Sequence, residues 1–137
     1  MQEVVLDINV ITYNEMLNNK KAVSINNIFF EFGKFELRIE SYSELDRVLG
    51  VLKRIDFNGF KLEVSGHTDN IGGDQYNEDL SQKRSEAVAN YLISKGMNPL
   101  SLVVKGYGSA KPLNDNSTEI NRAKNRRVEI RILGKID

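Results

Sequence analysis

Phe60-Lys61-Leu62-Glu63-Val64-Ser65-Gly66-His67-Thr68-Asp69-Asn70-Ile71-Gly72-Gly73-Asp74 is the stretch on which the fold turns. Phe60, Leu62 and Val64 alternate with Lys61, Glu63 and Ser65, the period of two that marks a strand with one buried face. Gly66, Gly72 and Gly73 then break the pattern and give a loop. Asp74 stands where it can cap a helix carrying Leu80, Ala87, Val88, Tyr91 and Leu92. Lys95-Gly96, a cation followed by a residue suited to a left-handed cap, ends that helix, and Pro99 bars its continuation. Strand, loop and helix in this order place the loop at the end of a sheet, where function is to be sought.

Further along, Leu102, Val103 and Val104 predict a short buried strand ended by Gly106-Tyr107-Gly108. A polar crossing with Pro112 and Asn114 follows, then a helical turn from Ile120 to Lys124. Val128, Ile130 and Ile132 alternate with Glu129 and Arg131 as a final strand. On the other side, Ser41-Tyr42-Ser43-Glu44 has capping-box spacing, which predicts a helix start. Leu45, Val48, Leu49, Leu52 and Ile55 share one face of that helix, and Asn58-Gly59 stops it. Ile25, Ile28, Phe29, Phe30 and Phe32 read as an apolar strand, and Val4, Leu6, Ile8 and Val10 as an alternating one, with a polar break at Asn18-Asn19-Lys20-Lys21. Residues 1–22 are therefore expected to be an N-terminal extension or linker with an extra strand, and residues 23–137 the main domain. Strands separated by helices indicate an α+β fold, a two-layer α/β sandwich with helices over one sheet face.

Bulk properties narrow the function. A chain of 137 residues with 40% hydrophobic and 28% charged residues fits one soluble globular core. Nineteen basic and 19 acidic residues cancel, so no global field draws the chain to nucleic acid or an anionic membrane. The lack of cysteine excludes disulfides, thiolate zinc sites and cysteine nucleophiles. No run approaches the ~20 apolar residues of a membrane helix, and the first residues lack a signal-peptide pattern. The chain is expected to be cytoplasmic or a fragment whose targeting segment is missing.

At 100° per residue, the apolar positions of the second helix span roughly 140°, and Arg84 falls near the middle of that arc. A guanidinium stays charged, so an inward Arg84 needs an anion, and Asp69 in the preceding loop is the nearest in sequence. Two readings remain open. Asp69 and Arg84 form an internal salt bridge that pins the loop, or they stand apart and present a carboxylate and a guanidinium to a zwitterionic ligand. The glycines serve as turn punctuation or let backbone amides approach an anion. Neither a GxGxxG run nor a GxxxxGK[ST] loop follows the strand, which disfavours a nucleotide site. His67, the single histidine, is expected to be a hydrogen-bonded structural residue, with no metal-ligand set around it. Arg127, in the pair Arg126-Arg127, is read as site wall.

Gly66-His67-Thr68-Asp69-Asn70-Ile71-Gly72, then Tyr76-Asn77-Glu78-Asp79-Leu80-Ser81-Gln82-Lys83-Arg84, resembles the OmpA-like C-terminal domain, also found in peptidoglycan-associated lipoproteins and MotB-type stator proteins. The likeness continues through Gly106-Tyr107-Gly108-Ser109-Ala110-Lys111-Pro112, Asn116 and Asn125-Arg126-Arg127-Val128-Glu129-Ile130, covering roughly residues 24 to 133. It implies a βαβαβ-type mixed sheet. It also implies non-covalent binding of the peptidoglycan peptide stem, with Asp69 taking the ammonium and Arg84 the carboxylate of diaminopimelate. Thr68, Asn77, Leu80 and Arg127 are implied as neighbours in the pocket wall. The implied setting is the periplasm at the outer membrane, with any membrane attachment supplied by other parts of the parent protein. Two departures stand out: Asn121 where the family usually has glycine, and Glu31-Phe32-Gly33 in place of an aspartate-rich turn.

No cofactor is expected. A hydrolase would need a base, an activated nucleophile or metal, and an oxyanion stabiliser together, and this sequence offers few such parts. His67 and Asp69 form an acid–base pair by composition only. The remaining alternative is a purely assembling or dimerising module, since MotB-type relatives self-associate. A stator role itself requires an acidic membrane helix that this chain lacks.

Overall fold

The structure is a computed structural model in which residues 23–25, 35–37, 39–54 and 59–135 are described. The strands expected around Val4–Val10 and Ile28–Phe32, Ile55 and Asn58, and the Glu31-Phe32-Gly33 turn lie outside those residues. In chain order the elements are β1 (Val23–Ile25), α1 (Glu40–Arg54), β2 (Phe60–His67), α2 (Asp74–Ser94), a 3-10 turn (Pro99–Ser101), β3 (Leu102–Gly106), α3 (Glu119–Asn125) and β4 (Arg127–Lys135).

Among the described residues the four strands form one mixed sheet in the order β1-β4-β2-β3. β2 and β3 run parallel, from Leu62 opposite Leu102 to Gly66 opposite Gly106, as the intervening α2 requires. β4 enters between β1 and β2 and is antiparallel to both. The expected two-layer mixed sheet is thus what forms. Leu102, Val103 and Val104 are only half-buried, β3 having a strand on one side alone among the described residues.

The core lies between the sheet and its helices. Leu45, Val48, Leu49 and Leu52 of α1 meet Phe60, Leu62 and Val64 of β2, Val88 and Leu92 of α2, and Val128 and Ile130 of β4. Both periodicities read from the sequence point into this layer. Each fully buried aliphatic side chain contributes roughly 1.5–3 kcal/mol.

Helix ends differ in detail from expectation. α1 starts at Glu40, so Ser41 lies inside its first turn rather than ahead of it. Glu44 is buried there, its Oε2 lacks a hydrogen-bond partner, and burial pushes its carboxyl up. Gly73, not Asp74, is the N-cap residue of α2, and Asp74 sits in the first turn, where its charge suits the helix dipole. The other end follows the expected pattern. Gly96 has φ +111°, its amide donates to Ile93 O, and Met97 N donates to Leu92 O. This is a Schellman cap, and Met97 and Leu92 are buried together beneath it.

The contact face of α2 is the main surprise. Its buried residues are Asn77, Ser81, Ser85, Val88, Ala89 and Leu92, while Leu80, Arg84, Ala87 and Tyr91 are half-buried. Arg84 thus lies roughly 60° to one side of the buried line rather than at its centre. The cause is two strand glycines beneath the helix. A Cβ on Gly66 would stand 2.5 Å from Ser81 O, and one on Gly106 would stand 2.3 Å from Gln82 N. Only glycine permits so close an approach, and only small side chains fit the helix face above it. Gly66 is therefore a packing residue rather than loop punctuation. The serines satisfy themselves locally: Ser85 Oγ donates towards Ser81 O and Lys105 O, and Ser81 Oγ accepts from Gly108 N.

Candidate functional site

β2 ends at His67, and the chain turns through Thr68–Gly73 before entering α2. Thr68 N donates to Gly108 O at 2.9 Å, which ties the loop to the segment after β3. Thr68 Oγ1 donates to Asp69 O at 2.7 Å, and Asn77 Nδ2 reaches the same carbonyl at 3.4 Å. Gly72, at φ +99°, makes the turn that brings the chain back to the helix. Thr68 and Asn77 are buried and act as the loop's braces.

These contacts aim the Asp69 carboxylate. Oδ1 accepts from Ile71 N at 3.0 Å, and Oδ2 accepts from Arg126 Nη1 at 2.6 Å. Arg126 also donates through Nη2 to Glu119 Oε2 at 2.7 Å, so its guanidinium bridges two acids. Burial works to lower the Arg126 pKa, but those two bonds outweigh it and hold the group above the usual arginine range, and Arg126 holds the Glu119 carboxyl low. Asp69 is almost fully covered, whereas Arg126 is about one-third exposed.

Arg84 stands on the flank of α2 within the field of this pair. Burial lowers its pKa most, Tyr76 acts against that, Arg126 adds to the lowering, and Asp69 opposes it. Leu80, one turn earlier, is half-buried on the same flank. Asp69, Arg84, Thr68, Asn77 and Leu80 therefore gather around the loop and the first half of α2.

Arg127 is turned away from this group. It begins β4 on the same side as Glu129, donating from Nε to Glu129 Oε2 at 2.6 Å and from Nη2 to Lys111 O at 2.9 Å. Strand alternation is the reason: Val128 and Ile130 face the helices, so Arg127, Glu129 and Arg131 face the other way. Arg126, one residue earlier and outside the strand, occupies the position expected of Arg127 as site wall. The doublet signals a nearby acid, but only the start of β4 tells which arginine meets it.

His67 also differs from expectation. It is buried, but neither ring nitrogen has a hydrogen-bond partner, and it stacks on Tyr107 with ring centroids 5.4 Å apart. Burial, then Arg127, press its pKa down to about 4, so the ring is neutral near pH 7. His67 lines a cavity with Glu129 and Arg127, away from Asp69 and its partners. The two do not act on one point. Among the described residues no cluster of acids and histidine could hold a metal ion.

Asn121, the departure from the family glycine, fits inside α3. Its amide donates to the N-cap Thr118 Oγ1 at 3.1 Å, and its side chain donates to Asp115 Oδ1 at 3.3 Å. The loop before α3 is thereby fastened to the helix it precedes.

Together, fold and loop define a two-layer α/β domain whose β–loop–α junction carries a braced carboxylate, ion-paired to Arg126 and within the electrostatic reach of Arg84. The chain belongs to the OmpA family, whose model matches residues 29–126. It is 40% identical over 114 residues to outer membrane protein A of Bordetella avium, covering 83% of this chain and 58% of that protein. It is 39% identical over 100 residues to outer membrane porin F of Pseudomonas fluorescens, covering 73% of this chain and 30% of that protein. The chain thus spans less than two thirds of either relative. The crystal structure of the peptidoglycan-associated lipoprotein from Burkholderia pseudomallei superposes with a TM-score of 0.67 at 25% identity, covering 83% of this chain and 91% of that one.

Proposed function

We propose that this domain binds the peptide stem of peptidoglycan non-covalently, with Asp69 and Arg84 reading diaminopimelate, and thereby anchors an envelope protein or the outer membrane to the cell wall. The braced, nearly buried Asp69 carboxylate carries the reading. One oxygen is fixed by Ile71 N, and the other already holds a guanidinium nitrogen at 2.6 Å, the place an ammonium would take. A zwitterionic ligand preserves the local charge: its ammonium shares or displaces Arg126 on Asp69, and its carboxylate meets Arg84. Arg126 keeps Glu119 as a partner when it yields. Thr68 and Asn77 position the loop, and Leu80 offers apolar wall. Membership in the OmpA family and the likeness to a peptidoglycan-associated lipoprotein support the same reading, as they support a periplasmic setting and a binding rather than a catalytic role.

Calorimetric titration with stem peptides tests it. A peptide containing diaminopimelate is expected to bind, and one with lysine at that position, which lacks the carboxylate for Arg84, to bind at least tenfold more weakly. Asp69→Ala and Arg84→Ala, checked for folding by circular dichroism, should each lose at least tenfold. A folded wild type that ignores both peptides would sink the proposal. Light scattering belongs beside it: a stable dimer that loses only its oligomeric state in Asp69→Ala would favour an assembly module.

A further inference from the structure

On the side of the sheet away from the core, register sets six side chains in pairs: His67 beside Arg127, Ser65 beside Glu129, and Glu63 beside Arg131. With Tyr107 and the segment Lys111–Leu113 they line a cavity of about 350 Å³. Small-molecule sites begin at roughly that size. Of five buried side-chain atoms without a hydrogen-bond partner among the described residues, four line this cavity: both ring nitrogens of His67, Glu63 Oε1 and Arg131 Nε. Buried polar atoms are nearly always satisfied, so a cluster of such atoms around one cavity marks a place built to meet something.

The pattern of atoms selects the ligand chemistry. Arg127 is matched by Glu129 Oε2 and by the carbonyls of Asn125 and Lys111. Arg131 Nη1 stands 3.9 Å from Glu63 Oε1, and Glu63 Oε2 accepts from the Tyr107 hydroxyl at 3.0 Å. The two arginines and two glutamates therefore balance. Lys111 is the remaining charge, and it lies exposed with Nζ 4.1 Å from the Tyr107 ring centroid. A neutral His67 offers one donor and one acceptor. Adding Arg131 Nε–H and Glu63 Oε1 gives two donors and two acceptors. An anion would leave the acceptors unmet and a cation the donors, whereas a hydroxyl group both donates and accepts.

We propose that this cavity is a second binding site, for an uncharged hydroxyl-bearing ligand about the size of one sugar ring. It is separate from the Asp69 loop and does not depend on the reading given to that loop.

Proton–nitrogen correlation spectra of the full chain, titrated in turn with glucose, N-acetylglucosamine and inorganic phosphate, test this. At least one sugar is expected to give saturable shifts at the amides of His67, Tyr107, Lys111 and Glu129, and phosphate none there. His67→Phe retains a ring to stack on Tyr107 and removes both nitrogens; Arg131→Lys retains the charge and removes Nε. Each should weaken sugar binding about tenfold, and the second remains informative if the first does not fold. Absence of saturable shifts with either sugar in the folded wild type would overturn the proposal, leaving a cavity for structural water. So would equal affinity in the folded variants, or phosphate binding at these amides in place of sugar.

Discussion

Asn125 is wholly buried at the end of α3, and its side-chain amide organises the loop before that helix. Oδ1 accepts from Leu113 N at 2.8 Å and Asn114 N at 3.1 Å, while Nδ2 donates to Asn114 O at 2.9 Å and Asn116 Oδ1 at 2.8 Å. Asn125→Ala should therefore cost about 2–3 kcal/mol, measured by urea denaturation, because buried backbone groups lose partners that water only partly replaces. A loss below about 0.5 kcal/mol would show that the loop closes without it. His67 gives a second effect of this kind. Its folded pKa of about 4 lies below the ordinary histidine value of 6.5, with desolvation and Arg127, Lys111 and Arg131 opposing protonation and Glu129 favouring it. The unfolded chain takes up the proton first as the medium is acidified. This contribution is complete above pH 6.5 and is lost as pH falls towards about 4, a span of roughly 3 kcal/mol. Thermal melts across that window should fall in the wild type and fall markedly less in His67→Phe; parallel curves would refute the assignment.

Among the elements, α2 is the most demanding, since it packs with almost no clearance over β2 and β3. Gly106→Ala would place a methyl 2.3 Å from the backbone nitrogen of Gln82, so helix or strand must shift. A loss of about 3 kcal/mol or more is expected. Gly96→Ala is the control, with nothing within 4 Å of the added methyl but a φ of +111°. It should cost only about 1–2 kcal/mol, from backbone strain alone. Denaturant midpoints for the two variants check this, and equal losses would mean that close approach is not what fixes the helix. The same constraint displaces Arg84. Apolar residues alone put Arg84 at the centre of the helix's inner face, but Ser81 and Ser85 are what the glycines admit. The sequence held a usable signal: two serines four residues apart in the helix, and one glycine at the end of each parallel strand.

For the molecule as a whole, sheet order governs where stability resides. Among the described residues, β2 and β4 each have a strand on both sides, whereas β1 and β3 have one on a single side. Their inner faces, with Leu62, Val64, Val128 and Ile130, also supply much of the core. Native-state hydrogen exchange should therefore find the amides of Val64 and Ile130 opening only with global unfolding, and those of Val103 and Lys105 at least tenfold less protected. Equal protection would mean that the sheet opens as one unit. Strand alternation also separates the two polar regions, since it sends Arg127 to one side of β4, while Arg126, ahead of the strand, turns to the loop.

Local pattern alone determined much of this protein. The alternation in Phe60–Ser65 and Val128–Ile132, the helical spacing of Leu45 to Leu52, the Lys95-Gly96 stop and the loop bearing Asp69 were legible because each follows from periodicity or turn chemistry within a few residues. Tertiary structure decided which partners meet. Asp69 and Arg126 lie 57 positions apart, and their ion pair depends on β4 entering between β1 and β2. Periodicity tells which way a side chain points from its own axis, but not which element lies opposite. That is why the buried line of α2, the partner of Asp69 and the polar cavity around His67 emerge only when the strands are laid side by side.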